Sequence, residues 1–169
     1  FPLFYAVSFG GAYYFWMLVL FSFVVQAVAY EYRTKPNNFL GAKTYEVFLL
    51  LNGVFGATLL GGAVATFFSG SSFIVDDYRV STWLSPWRGL EALASPFNLS
   101  LGLTVFFLSR MLGGLYFINN VDHEGLYLRA KKSVLINFLI LLPFLLYFLY
   151  SLATRSGYSV PLNTFVPSK

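Results

Sequence analysis

Four long apolar runs, separated by polar connections, constrain the fold of this sequence more than any other feature. They cover about residues 3–29, 45–68, 97–118 and 133–153. A helix rises about 1.5 Å per residue, so each run would be roughly 30–40 Å long, enough to cross a hydrocarbon layer about 30 Å thick. The sequence therefore predicts an all-α membrane bundle in which four transmembrane helices run up, down, up and down, with no β-sheet.

The charged residues lie mostly between these runs. They make up 11% of the 169 residues, whereas a soluble domain has about 25%. The net charge of +4 is modest, and the basic residues flank the apolar runs, which favours topology signals over a nucleic-acid surface. We expect one transmembrane domain over residues 1–169, in contact with lipid and not with nucleic acid. Because the chain opens on Phe1-Pro2, we also expect it to be part of a longer protein.

Basic residues are more frequent in the first and third connections than elsewhere outside the runs. These two connections hold Arg33, Lys35, Lys43, Arg129, Lys131 and Lys132. The second connection and the tail hold Arg79, Arg88, Arg155 and Lys169. Since cytoplasmic connections carry an excess of Lys and Arg, we expect the first and third connections in the cytoplasm.

Small residues recur at every fourth position of the second run. They are Gly53, Ala57, Gly61 and Ala65. Such a stripe lets another helix approach closely, so it predicts a packing seam and a central position for this helix. A ligand groove along the same stripe is the alternative.

The first run ends in the segment Ala27–Lys35, where an acid precedes two cations. Glu31 lies just inside the membrane boundary, and Arg33 and Lys35 lie just outside it. We expect the two cations to extend towards lipid head groups. Glu31 is either a solvated acid at a helix end or a group that takes up and releases protons at the mouth of the bundle.

Residues 69–96 form the long second connection. Its tryptophans, Trp83 and Trp87, are typical of the head-group level. The segment Pro86–Leu93 predicts a short interfacial helix with proline in its first turn. Asp76 and Asp77 are expected to be solvated loop charges, because two carboxylates without further ligands are a weak signal for a cation site.

Several stretches, in order along the chain, resemble subunit II of the bacterial cytochrome bd-type quinol oxidases. One is Tyr30-Glu31-Tyr32-Arg33-Thr34-Lys35, similar to that family's aromatic–acid–aromatic–Arg–x–Lys helix end. The others are Phe1–Gly11, Asn52–Ala65, Phe73–Asp76, Ser95–Leu99 and Gly114–Tyr116 followed by Leu126–Arg129. The resemblance covers nearly the whole chain and places it at helices three to six of the family's eight.

The resemblance implies a subunit of a terminal oxidase, a multi-pass protein of the bacterial inner membrane that serves aerobic respiration and electron transport. Such an oxidase takes electrons from ubiquinol or menaquinol and reduces oxygen to water. The resemblance also implies that the haems and the quinol-oxidising loop belong to subunit I. Subunit II would then contain no catalytic residue, would support subunit I and would help to deliver protons.

The ligand-forming residues agree with a chain that binds no haem or metal. The sequence has no cysteine, and its only histidine, His123, lies in a connection expected in the cytoplasm. Met17 and Met111 lie within spans without a histidine partner, whereas a haem iron needs an axial ligand such as His or Met. We expect His123 to be solvated or satisfied and both methionines to fill the core.

Two positions depart from the family's pattern. Gln26 stands where family members have an arginine five residues before the acid, and Arg110 stands where an uncharged residue is expected. The resemblance places Glu31 on a proposed cytoplasmic proton route. Because an arginine within a span usually faces the interior with a partner, we hypothesise that Arg110 approaches Gln26 and Glu31. Alternatively, Arg110 extends to the cytoplasmic head groups or pairs with subunit I.

Two other classes of function remain open from the sequence. One is a fragment of a transporter, which would need an ionisable group or a broken helix near the bilayer midplane. Arg110 and the pair Gly61-Gly62 are the candidates for those features. The other is a purely structural membrane scaffold.

Overall fold

The computed structural model describes residues 2–36, 38–70, 73–76 and 81–155. Four residues discussed above, Phe1, Asp77, Arg79 and Lys169, lie outside the described residues.

Five α-helices account for most of the described chain. They are α1 (Pro2–Gly11), α2 (Tyr13–Tyr32), α3 (Ala42–Ser69), α4 (Pro96–Asn120) and α5 (Glu124–Ala153). The last four are long and apolar enough to cross a membrane. This confirms the prediction of an all-α, multi-span membrane bundle.

The first apolar run is two helices rather than one. The backbone leaves helical geometry at Ala12, with φ −124° and ψ 44°, between α1 and α2. The connection between α3 and α4 folds back onto this break, where the carbonyl of Arg88 accepts a hydrogen bond from the Tyr14 amide at 3.3 Å. Gly89 approaches so closely that an added Cβ would lie 2.6 Å from the Ala12 Cα. Sequence periodicity does not reveal such a break, because both halves are equally apolar.

The same connection contains a short β-hairpin, which corrects the expectation of no β-sheet. Strands β1 (Phe73–Val75) and β2 (Ser81–Trp83) pair antiparallel, with Phe73 opposite Trp83. The interfacial helix predicted at Pro86–Leu93 is instead a 3₁₀ helix at Leu90–Ala94. It begins after Gly89, whose φ of +92° a residue with a side chain rarely adopts.

The long helices pack in sequence order. α2 contacts α3, α3 contacts α4, and α4 contacts α5. One apolar cluster joins the start of α2 to α3 and the 3₁₀ helix, and it contains Ala12, Phe15, Val19, Ala63 and Ala92. A second cluster, near the same end of α3, joins another side of this helix to α4 and α5 through Ala65, Phe97 and Phe148. Helix α3 is therefore an inner helix with neighbours on both sides.

The alternating direction of the helices defines two ends of the bundle. The connections α2–α3 and α4–α5 lie at the end that the Lys and Arg distribution predicts to be cytoplasmic, called here the cytoplasmic end. The hairpin, the 3₁₀ helix and the starts of α2 and α4 lie at the opposite end. Helix α5 begins at Glu124, nine residues before the predicted span. The prediction followed the apolar run and therefore left out the polar first turns of the helix.

Candidate functional site: a polar seam between α2 and α3

Three polar side chains form a hydrogen-bonded chain across the contact between α2 and α3. The Ser22 hydroxyl donates to Asn52 Oδ1, and Asn52 Nδ2 donates to Gln26 Oε1 at 2.8 Å. Ser22 and Asn52 are buried, whereas Gln26 is exposed. We call this chain the α2–α3 polar seam. It runs from a buried hydroxyl to the accessible side of α2, within two spans.

The spacing of these residues explains why they meet. Ser22 and Gln26 are four residues apart on α2, and Asn52 and Gly56 are four apart on α3, so each pair lies on one helix face. Gly56 leaves room for the hydroxyl, since a Cβ at this position would lie 2.8 Å from Ser22 Oγ. Each amide group thus finds a partner that the hydrocarbon layer could not supply.

An apolar cleft lies beside the polar seam. Its volume is about 790 Å³, and Ser22 and Asn52 are part of its wall together with Phe21, Phe48 and Phe55. A buried amide and hydroxyl in such surroundings are costly unless they are hydrogen-bonded to each other. The seam is therefore a specific polar feature in an otherwise apolar helix contact.

Glu31 lies near the cytoplasmic end of α2, just beyond the polar seam. Its carboxylate Oε1 lies 2.8 Å from Lys35 Nζ, and both side chains are exposed. The hydrogen bond that Lys35 donates to the Glu31 carboxylate, followed by the attraction between the two charges, raises the pKa of Lys35. Since a raised pKa favours the protonated amine, Lys35 stays a cation through neutral pH.

Arg110 does not join Glu31, which corrects the hypothesis of a pair between them. Its guanidinium carbon lies 5.7 Å from the centre of the Phe106 ring, on an exposed face of α4. Helix α3 lies between α2 and α4, and Glu31 has its ion pair within its own helix end. The depth of Arg110 along its helix could be predicted by counting residues, but the face of α4 that it occupies could not.

The predicted small-residue stripe of α3 divides between two environments. Gly61 packs against α4, where an added Cβ would lie 2.9 Å from the Gly102 Cα, and Ala65 is fully buried. Ala57 is half-buried, and Gly53 is exposed with open space where its Cβ would be. The close contact with α2 uses Gly56 and Gly62, which do not belong to the predicted stripe.

The remaining candidates are separate from the seam. His123 caps α5, and its Nδ1 accepts a hydrogen bond from the Leu126 amide at 3.3 Å. Met17 is 49% exposed on α2, which corrects the expectation that it fills the core, and Met111 is half-buried on α4. In the part of the chain that the structure describes, no three His, Cys, Asp or Glu side chains come together as a metal site.

Sequence reasoning missed the roles of Ser22 and Asn52. The available signal was Asn52 itself, an amide inside an apolar run, together with Ser22 and Gln26 at a spacing of four on the preceding run. A polar residue within a span usually faces the bundle, and a matching polar pair on the neighbouring helix indicates its partner.

Comparison with known proteins gives one family. The sequence model of the family described as Cytochrome bd terminal oxidase subunit II matches residues 1–167. No curated protein matches the chain. The family match favours the oxidase over the transporter and scaffold alternatives.

Proposed function

The chain belongs to the subunit II family of the cytochrome bd terminal oxidases, and we propose that it supports a haem-bearing partner and takes up protons at the cytoplasmic end of the α2–α3 polar seam. It is an integral membrane subunit of an oxidoreductase complex. The oxidation of quinol and the reduction of oxygen follow from the family.

The donor atoms of this chain do not fit a haem. His123, the only histidine, lies in a polar connection. Its Nδ1 already accepts a hydrogen bond at the start of α5. The two thioether groups lie on α2 and α4, which are separated by α3. We therefore place the haems in the partner subunit, and no step of the proposal for this chain involves an iron atom.

The observation that carries the proton proposal is the direction of the polar seam. Gln26 is exposed, Asn52 is buried, and Ser22 is the buried end. Amide groups do not exchange protons readily at neutral pH, so Gln26 and Asn52 would orient water, while the Ser22 hydroxyl can both donate and accept. The seam supports the entry of water-borne protons from the cytoplasmic side into the bundle.

Glu31 would collect protons for this route. It lies five residues beyond Gln26, roughly 8 Å further along the helix towards the cytoplasmic end. Its carboxylate exchanges protons with bulk water because it is exposed. Lys35 holds the carboxylate at the helix end and, with Arg33, keeps it at the level of the head groups.

The test compares Glu31→Gln with Lys35→Gln in the assembled oxidase. If Glu31 collects protons, Glu31→Gln lowers oxygen consumption by about tenfold, since a positioned acid–base group contributes at least that much. Lys35→Gln breaks the same ion pair but keeps the carboxylate, so turnover is largely retained. Equal losses in the two variants, or no loss in Glu31→Gln, would show that the pair only anchors the helix end.

A further inference from the structure

A polar cavity lies at the opposite end of the bundle from Glu31. Its volume is about 220 Å³, and it lies where α3 ends, α4 begins and the 3₁₀ helix crosses between them. The wall includes Ser69, Glu91, Ser95, Asn98 and Arg155. None of these residues belongs to the polar seam or to the proposed proton route.

Two residues of the cavity wall carry hydrogen-bond acceptors that have no partner. Asn98 is 1% exposed, and its Nδ2 donates to the Ala92 carbonyl at 2.9 Å, which leaves Oδ1 buried without a partner. Glu91 uses Oε2 to accept from the Gly89 amide at 3.1 Å, and its Oε1 is likewise buried without a partner. Because unpaired buried acceptors are costly, these two oxygens favour a ligand that donates several hydrogen bonds.

The cavity wall also carries positive charge, at Arg155. Arg155 donates to the Phe68 carbonyl at 3.0 Å, and its guanidinium carbon lies 4.6 Å from the centre of the Phe97 ring. These contacts use one Arg155 nitrogen and leave other N–H groups for an acceptor. The N-terminus of α4 adds partial positive charge, since the Ser95 side chain does not cap it.

This charge arrangement selects among ligands. A free metal cation would be repelled by Arg155, and a lone phosphate would be repelled by the Glu91 carboxylate. A zwitterion satisfies both the acceptors and the guanidinium group when its ammonium faces Glu91 and Asn98 and its phosphate faces Arg155. The ammonium must be primary, because a trimethylated nitrogen has no N–H to donate to the two unpartnered oxygens.

We propose that this cavity binds the head group of a phospholipid that carries a primary ammonium and a phosphate. The volume is below the range of pockets that enclose whole small molecules. The acyl chains would therefore lie outside it, along the apolar faces of the helices. The position at one end of four membrane-length helices puts the cavity at the level where head groups lie.

The test titrates the assembled, delipidated oxidase in detergent with three dihexanoyl phospholipids, and native mass spectrometry counts the bound molecules. The probes are phosphatidylethanolamine, phosphatidylcholine and phosphatidylglycerol. One ethanolamine lipid is expected to bind about tenfold more tightly than the choline lipid, the effect of one charge-assisted hydrogen bond. Soluble phosphoethanolamine, which has no acyl chains, should compete only weakly.

Two variants that each remove one charge, together with a control, separate this cavity from other lipid sites of the complex. Glu91→Gln should abolish the preference for ethanolamine over choline, and Arg155→Gln should weaken both lipids about tenfold. Glu124→Gln, which removes an acid at the other end of the bundle, should change neither affinity. Unchanged haem spectra verify that each variant is assembled.

Several results would overturn the proposal. Equal affinity of the wild type for the ethanolamine and choline lipids would do so, as would an ethanolamine preference that survives in Glu91→Gln. Tight binding of soluble phosphoethanolamine would show that the cavity binds a free metabolite and not a lipid. Unchanged affinity of Arg155→Gln for both lipids would show that the counted lipids bind elsewhere in the complex and not in this cavity.

Discussion

Asn52 illustrates what one amide contributes inside a membrane. It joins Ser22 to Gln26 across the α2–α3 contact, and without it the buried Ser22 hydroxyl would face the apolar cleft. Hydrogen bonds between membrane helices average about 0.6 kcal/mol, but a stranded buried group costs about 1–3 kcal/mol. Position 52 therefore has more influence on the helix contact than a single average hydrogen bond suggests.

We predict that Asn52→Leu destabilises the assembled oxidase by about 1–2 kcal/mol, because it leaves the Ser22 hydroxyl unpaired. The thermal midpoint, followed by haem absorbance, should fall by about 2–6 °C. The matched control is Asn120→Leu, since Asn120 is exposed and bonds only the Tyr116 carbonyl of its own helix. The same midpoint in both variants would contradict a structural role for the seam.

Glu31 and Arg110 are expected to act independently. Since α3 lies between their helices and Glu31 pairs with Lys35, their substitutions share no partner. We predict that the effects of Glu31→Gln and Arg110→Leu on oxygen consumption multiply in the double variant. A double variant that is faster than Arg110→Leu alone would instead indicate the direct pair that the sequence suggested.

Glu31 and Arg110 show which properties of a single residue can be predicted from the sequence. Position along a helix follows from counting residues, so the depth of Arg110 could be predicted. The face of a helix that meets a given neighbour depends on the packing of α3 between α2 and α4. Almost every face of these helices is apolar, so periodicity carries little information about orientation.

At the scale of elements, the glycines of α3 show the same limit. A spacing of four predicts close helix contact, and Gly61 does meet α4 at Gly102. Gly53 has the same spacing but faces open space, while Gly56 and Gly62 make the contact with α2. The repeat could be recognised from the sequence, but the helix that each glycine contacts could not be predicted.

The pair Gly61 and Gly53 provides a matched prediction. A Cβ at Gly61 would lie 2.9 Å from both the Gly102 Cα and the Val105 Cβ, so α3 and α4 must separate. Gly61→Ala should cost about 1–3 kcal/mol, and leucine at this position should cost more. Gly53→Ala meets no atom within 4 Å and should be neutral or stabilising by up to about 1 kcal/mol.

The measurement for this pair is the yield and thermal midpoint of the assembled oxidase. Loss of yield in Gly61→Ala with a normal yield of Gly53→Ala would show that the small-residue stripe packs closely on the α4 side of α3. Equal loss in both variants would contradict the structure here and would indicate that Gly53 faces a further helix of the complex.

The connection between α3 and α4 could be predicted only in part. Tryptophans and prolines indicated an interfacial segment, but strands of three residues are too short for an alternating pattern to be recognised. The break at Ala12 depends on contacts from residues about 75 positions later, namely the Arg88 carbonyl and Gly89. Long-range contacts of this kind leave no local signal.

At the scale of the whole molecule, charge and hydropathy were the most informative signals. They predicted four membrane-length helices, which the structure contains. They also predicted which end faces the cytoplasm, and that orientation determines from which side Glu31 and the polar seam could receive protons. The cavity around Glu91 and Asn98 would then lie at the outer leaflet.

The orientation can be tested because the chain contains no cysteine. We predict that Phe39→Cys, at a connection residue 97% exposed, is protected from a membrane-impermeant maleimide in intact cells and reacts after the membrane is opened. Leu84→Cys, at a residue 66% exposed near the opposite end, should react in intact cells. Labelling in denaturant shows that each thiol is intact. The chain is separated by electrophoresis before the bound maleimide is counted. The reverse pattern would place Glu31 on the outer side, where it could release protons but not take them up from the cytoplasm.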